Sequence, residues 1–279
     1  MVQIVTDFFL SSGMALAKAL DGLLLPAAFF LLLAMLTKGA KLFADMRRAV
    51  GQTSLNVQIM AFNILIIAPL IALASQALSA LVAVSDFYLV APERWAALPS
   101  WLVIFVAVFV GDFVGYWRHR LEHTRLLWPA HAVHHSDTDM TWLALERFHP
   151  INHISTFVID SGALFLLGFP PSAVVANVLV RHYYGYFIHA DLPWTFGPLG
   201  KILVSPAMHR WHHAADTAAF NTNYATVFSA FDRAFGTFRV PGPCTVPLGV
   251  TDRIAPTLRG QIGYAFSPRA YRWLFRNRG

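Results

Sequence analysis

Four stretches of this chain stay apolar long enough to dictate its architecture. Leu23–Leu36, Val57–Val84 and Trp95–Trp117 are nearly free of charge, and Ile154–Phe187 is apolar but interrupted near its middle by Pro170-Pro171. A bilayer-crossing helix needs about 20 mainly apolar residues. The second and third stretches meet that length, and the first is short enough to predict a tilted or partial span. The paired prolines break the fourth, predicting a hairpin of two short helices that need not cross the bilayer. The expected fold class is therefore all-α: an integral membrane helical bundle of about three to four spanning helices plus a re-entrant or hairpin pair.

Composition closes off the soluble alternative. Hydrophobic residues make up 56% of the 279 positions and charged residues 13%, with a mean hydropathy of +0.52, far from a soluble domain of this size. The first residues, Met1 to Asp7, include an acid and no basic residue, so no cleavable leader is expected. Cationic residues crowd particular loops: Lys38, Lys41, Arg47 and Arg48 follow the first span, Arg118, Arg120 and Arg125 follow the third, and Arg269, Arg272, Arg276 and Arg278 end the chain. The loop Ser85–Glu93 has neither Lys nor Arg. The bias predicts a multi-pass protein with the first loop, the region after the third span and the C-terminus on the cytoplasmic side. A net charge of +6 then suits anionic headgroups, and no aromatic-basic nucleic-acid motif is present.

All twelve histidines lie between His119 and His213, and most fall into three clusters. These are His119-x-x-x-His123, His131-x-x-His134-His135 and His209-x-x-His212-His213. Residues three or four apart share a helix face, while adjacent residues point about a quarter-turn apart. His119 and His123 can therefore converge on one point, as can His131 and His135. His134 can join them or reach toward a neighbour, and the last cluster repeats this arrangement. Eight imidazoles exceed the three or four protein ligands of a usual zinc site, so two metals in one helical pocket are expected. The lone Cys244 rules out disulfides and a cysteine site, leaving a histidine shell suited to iron, copper or zinc.

Other residues are placed by position. The first cluster continues the third span, so the metals should sit just beneath the membrane face. Asp112, two turns before His119, is expected to fix a histidine tautomer from a second shell, or else to bond water at the helix end. His189 ends the second half of the broken hairpin and is read as a ligand. His149, in Phe148-His149-Pro150, is open between a second-shell and a structural role. His153 is expected to be structural; His182 is read as structural too, but it shares a face with His189 and stays open as a contributor to the metal shell.

Together these motifs resemble the fatty acid hydroxylase superfamily, which includes sterol C5 desaturases, C4-methyl sterol oxidases, sphingolipid fatty acid hydroxylases and alkylglycerol monooxygenase. The resemblance covers about Asp112 to Pro241 and rests on the short gap between the first two clusters, on His131–Ser136, Phe148-His149-Pro150, Phe187-Ile188-His189 and Pro206–His213. Asn221–Tyr224 and Phe231–Thr237 are similar to the family's NYG and WDRLFGT segments, with Ala225 for Gly and Phe231 for Trp. Membrane acyl desaturases also carry three histidine clusters, but more widely spaced.

The resemblance implies a di-iron centre that uses O2 to hydroxylate or desaturate an unactivated C–H position of a sterol, fatty acyl or related lipid. It implies His119, His123, His131, His134, His135, His189, His209, His212 and His213 as ligands of two Fe ions, with Asp112, His149 and Asn223 as second-shell candidates and no separate catalytic side chain. The expected division is 1–94, N-terminal transmembrane helices; 95–241, catalytic domain with a cytoplasmic helical cap; and 242–279, a basic tail. Lacking a cytochrome b5 domain, flavin motif or nucleotide fingerprint, the chain is expected to draw electrons from a separate ferredoxin or cytochrome b5-like donor; Arg118, Arg120 and Arg210 are candidate docking cations, with solvated or headgroup-binding arginines as the default reading. The alternative is a membrane metal-ion transporter or metal-binding protein. A zinc hydrolase is disfavoured because Glu122 beside His123 lacks the His-Glu-x-x-His spacing.

Overall fold

Apolar runs without internal breakers become long helices, and the computed structural model, which describes residues 2–85 and 87–274, follows that rule. Arg276 and Arg278 of the expected basic tail lie outside the described residues, as does the side chain of Arg272. Among the described residues the regular elements are all helices, without a strand. Helices α1 (Val2–Gly22) and α2 (Leu24–Lys38) meet at Leu23 and stop at Gly39, whose φ of 54° ends the helix. Helix α3 (Lys41–Phe62) runs through a π-helical turn, Asn63–Ile67, into α4 (Ala68–Ser85). A short α5 (Pro92–Ala96) precedes α6 (Ser100–Glu122).

Among the described residues three helical stretches are long and apolar enough to cross a membrane: Ser12–Lys38, Lys41–Leu81 and Ser100–Glu122. Their large apolar side chains face outward, among them Leu25, Leu36, Leu73 and Trp101, as expected where lipid is the solvent. The second begins at Lys41 instead of Val57. At 1.5 Å per residue its 41 residues make about 60 Å, about twice the hydrocarbon thickness. The added half is amphipathic and buries Leu42, Ala49, Leu55 and Asn56. Leu55 and Ile59 pack against Val133, so this half of α3 supports the histidine-bearing part of the molecule.

That part starts with α7 (Trp128–His135) and continues through α8 (Pro150–Ser155), a π-helical turn at Thr156–Ser161 and α9 (Gly162–Leu166). The chain then reverses at Gly168, φ +67°, and Pro171 opens α10 (Pro171–His189). The hairpin breaks at Pro170-Pro171 as expected. Helix α10 lies along α6, because Gly111 and Gly115 leave room for it: a Cβ at either would collide with the Asn177 amide or the Arg181 guanidinium. Helices α11 (Pro206–His212), α12 (Ala230–Ala234) and α13 (Leu258–Tyr264) complete the chain.

The segment after residue 241 is not a loose tail as far as Leu274. Leu248 pairs with Ala214, Gln261 accepts from Ser136, and the Ile262 carbonyl accepts from His149. Small apolar anchors, Leu248 and Ala265, are buried there, which a tail read from its arginines alone does not foretell.

Candidate metal centre

The histidine clusters sit at helix ends with strong local start signals. Helix α11 is opened by Ser205, whose Oγ accepts the Met208 N–H at 3.1 Å, followed by Pro206 at the first helical position; this is a good N-cap with a preset φ. Pro171 takes the same first position in α10, and Pro129 the second position in α7. The helices bring nine imidazoles into two adjoining groups. His119, His123, His131, His135 and His212 form one, and His134, His189, His209 and His213 the other, with one ring nitrogen from each member within 4.8 Å of every other in its group. His123 is half-buried and the rest are buried.

Helical geometry explains the partition. The pairs 119/123, 131/135 and 209/213 are each one turn apart and stay together. Adjacent His134 and His135 point to different groups, as do His212 and His213, because consecutive residues are about 100° apart around the axis. The rings of His135 and His213, from opposite groups, stack with centroids 4.3 Å apart.

Several imidazoles are oriented from behind. His119 Nδ1 donates to the Tyr224 carbonyl at 2.7 Å, His212 Nδ1 to the Thr222 carbonyl at 2.7 Å and His189 Nδ1 to the Gly185 carbonyl at 2.7 Å. Each bond commits the Nδ1 hydrogen and turns a lone pair on Nε2 inward. His131 Nδ1 lies 3.4 Å from the Glu122 carboxylate, itself held by Arg118 at 2.7 Å and by Ser155. His131 Nδ1 is also 3.3 Å from the Asn152 side-chain amide, and the inward Nε2 of His119 lies 2.9 Å from His131 Nε2. His189 Nε2 lies 2.9 Å from His209 Nε2 and 3.2 Å from His134 Nε2. Two nitrogens about 2.1 Å from one ion at right angles are about 3.0 Å apart, so these spacings are those of ligands sharing an ion. The buried Nε2 atoms of His123, His135 and His212 have no hydrogen-bond partner. The residues fit a pair of metal ions.

Burial also keeps the rings in the ligand form. It pushes His123, His131, His134, His135, His209, His212 and His213 well below the usual imidazole pKa, and His189 down to about 3. They are neutral at physiological pH, as metal coordination requires.

The remaining candidates behave differently. Asp112 touches no imidazole: its carboxylate accepts the N–H groups of Thr226, Val227 and Phe228 at 3.2, 3.0 and 2.8 Å and faces Arg181 at 3.5 Å. It shapes the loop that carries the Tyr224 carbonyl, one step removed from the tautomer role expected of it. Asn223, at φ 62°, donates to the carbonyls of Met208 and Arg239, fixing the same loop against α11. His149 caps α8 through Nδ1 and donates from Nε2 to the Ile262 carbonyl at 2.9 Å. His153 and His182 lie outside both groups; His182 is 3.7 Å from Glu146.

The docking cations are also mostly spoken for. Arg118 is buried between Glu122 and Asp160, 2.8 Å from the latter, and Arg210 is 3.0 Å from Asp191. Arg120 lies over the Trp117 ring. An i,i+4 Arg–Glu pair ending an apolar span looks like surface charge in sequence. Here it is buried because Asp160, from the π-helical turn, meets it. The sequence reading gave no role to Glu122, nor to Asp232, whose carboxylate accepts the N–H groups of Tyr224 and Ala225. Asp232 stands inside the Phe231–Thr237 motif, which was the available signal. Burial raises its pKa to about 6 against the pull of its donors.

Comparison with known proteins agrees with this geometry. Residues 104–237 match the sequence model of a family described as fatty acid hydroxylase. The ornithine lipid hydroxylase OlsE of Rhizobium tropici is 32% identical over 178 residues, 63% of this chain and 53% of that protein. The alkylglycerol monooxygenase of Danio rerio is 30% identical over 206 residues, 74% of this chain and 44% of that protein. The Delta(7)-sterol 5(6)-desaturase ERG3A of Gibberella zeae is 31% identical over 131 residues, 47% of this chain and 36% of that protein. The chain thus spans about half the length, or less, of these curated relatives. No solved structure matches.

Proposed function

We propose, from the match of residues 104–237 to the fatty acid hydroxylase family, that this chain is a membrane-bound di-iron oxygenase of lipids. In this reading it hydroxylates or desaturates an unactivated C–H position using O2 and a separate electron donor of the ferredoxin or cytochrome b5 kind. The observation that carries the reading is the pair of histidine groups with inward-turned nitrogens. The five-membered group exceeds the tetrahedral shell of zinc and favours a metal of higher coordination number, such as iron.

His119, His123, His131, His135 and His212 would hold one iron, and His134, His189, His209 and His213 the other. Bound there, iron supplies the O2 activation that side-chain acids and bases lack. The chain's own groups do the rest. The carbonyls of Tyr224, Thr222 and Gly185 and the Glu122 carboxylate aim the imidazoles, and burial shields all of them but the half-buried His123. Exposed apolar helices bring the protein to its lipid. We read residues 1–94 as the N-terminal membrane part, 95–241 as the catalytic unit and 242–279 as its closing segment. The multi-pass chain would have its histidine cap on the cytoplasmic face.

The test is direct. Purified protein should contain two irons and consume O2 when given a lipid extract and a reductant, with lipid masses rising by one oxygen or falling by two hydrogens. Metal flux in liposomes without O2 consumption would instead establish a transporter.

A further inference from the structure

A cavity of about 790 Å³ lies between α2, α3 and the segments that follow α7 and α10, within the range of about 300–1,000 Å³ typical of small-molecule sites. One wall is apolar, with Ala27, Phe30, Leu31 and Ala34 from α2, and Phe30 stacks on Trp142 with centroids 5.2 Å apart. The far side of α2 carries exposed Leu25, Leu32 and Leu36, so one helix separates the cavity from the surrounding lipid. Its rim is charged with both signs interleaved. Lys38 is 2.7 Å from Asp45 and also paired with Asp191; Arg48 is 3.1 Å from Asp45 and 2.7 Å from Asp139; Arg210 is 3.0 Å from Asp191. Arg47 adds another cation. Two of its lining residues neighbour the four-histidine group along the chain, since Asp191 follows His189 by two residues and Arg210 follows His209 directly, while no histidine is among the lining residues.

We propose that this cavity binds the headgroup end of a zwitterionic amphiphile, its anionic group against Lys38, Arg48 and Arg210 and its amine against Asp45, Asp139 and Asp191. A purely anionic headgroup reaching any of these three paired cations also meets a carboxylate, and a purely cationic one meets a cation. A sterol hydroxyl leaves the rim's charges unused. At these three paired cations a headgroup carrying both signs exchanges with the existing ion pairs without leaving a charge unpaired, and Arg47 adds one further positive charge for its anionic end. The acyl part then follows the apolar wall of α2, and the carbons next to the headgroup lie nearest the four-histidine group. This assignment rests on the oxygenase reading only for which carbons are oxidised; the binding stands by itself.

The full chain in neutral maltoside detergent is titrated, by native mass spectrometry, with dioctanoyl phosphatidylethanolamine, N-octanoyl-ornithine, dioctanoyl phosphatidylglycerol and cholesterol. At least one of the two zwitterions should bind at least tenfold more tightly than the anionic lipid and the sterol, and which of them leads tells a phosphoethanolamine from an amino-acid headgroup. Ala34→Trp, which fills the apolar wall, should weaken that binding at least tenfold with metal content unchanged. Arg48→Glu, at a side chain 60% exposed, should at least halve the zwitterion's advantage with metal content unchanged. Equal binding of phosphatidylglycerol or cholesterol, or no effect of either variant, overturns the proposal. So does oxidation mapped by fragment ions to the tail end of the lipid. Metal and O2 consumption measured on the same samples separate the two readings. Zwitterion binding to a metal-free, inactive protein sinks the oxygenase, whereas turnover of a sterol alone sinks the headgroup site.

Discussion

The two histidine groups draw on neighbouring helices yet are supported in different ways. In the five-membered group, His119 and His212 are anchored to the carbonyls of Tyr224 and Thr222, and His131 faces Glu122. A cavity of about 330 Å³, lined by Trp128, Phe220 and Asn221, opens onto His123, His135 and His212. In the four-membered group only His189 is anchored, to the Gly185 carbonyl. Among the described residues the Nδ1 atoms of His134, His209 and His213 have no hydrogen-bond partner. Those rings are held by packing, as where Phe148 stacks on His134 at 4.4 Å and 8°, and by one another. One group is oriented by the protein and open; the other is enclosed and relies on its own members, so an ion there adds more of the order.

The comparison breaks first at the ligands. His212→Ala and His134→Ala should each abolish turnover, but each should cost one of the two ions, because their ligands belong to different groups. Elemental analysis of membrane-extracted protein checks this. Loss of both ions from either variant would show one merged site, and full metal with surviving turnover would remove these residues from the shell.

Much of this contrast could be read in the sequence, and part could not. Helical periodicity alone assigns 119/123, 131/135 and 209/213 to common faces, and Pro170-Pro171 marks the hairpin. The apolar run from Trp95 delivers His119 to the end of a span. The supporting atoms were hidden because they come from far along the chain or from the backbone. Asp112 meets residues 226–228, and the His119 anchor is a carbonyl at residue 224. No side-chain pattern announces a carbonyl. Likewise α3 starts at Lys41 because its polar half finds a partner in Val133 and, through Asn56, in Asp137 and Arg147, a partner that an apolar window starting at Val57 does not contain.

Removing metal stepwise sharpens the contrast. Under increasing chelator at equilibrium, the ion of the four-histidine group should leave first, since missing outer-shell partners typically weaken metal binding about 10- to 100-fold. The residual metal of the His134→Ala variant identifies the tighter phase. Release in a single phase would mean that the uneven hydrogen bonding carries no energetic weight. Glu122→Gln tests the same idea from the other side. It should lower affinity at the five-histidine group by about 10- to 100-fold and leave the other group's ion in place. If the weaker ion were the one affected, Glu122 would not be acting through His131.

The smallest effect belongs to a histidine outside both groups. Burial holds His153 at a pKa of about 4, against an ordinary 6.5. A depressed histidine pKa means that the unfolded chain takes up the proton first. The stability His153 contributes is therefore full above about pH 6.5 and is lost as pH falls toward 4, at most ~3 kcal/mol. His153→Asn removes that dependence. Relative to the parent, its Tm should fall less between pH 7 and pH 4.5, while metal content and turnover at pH 7.5 stay within about threefold, since no ligand is touched. Because the metal ligands titrate in the same direction, the informative quantity is the difference between variant and parent. Metal loss in His153→Asn comparable to that in His134→Ala would extend the shell beyond the nine histidines, and an unchanged pH profile would mean that His153 is wetter than its burial implies.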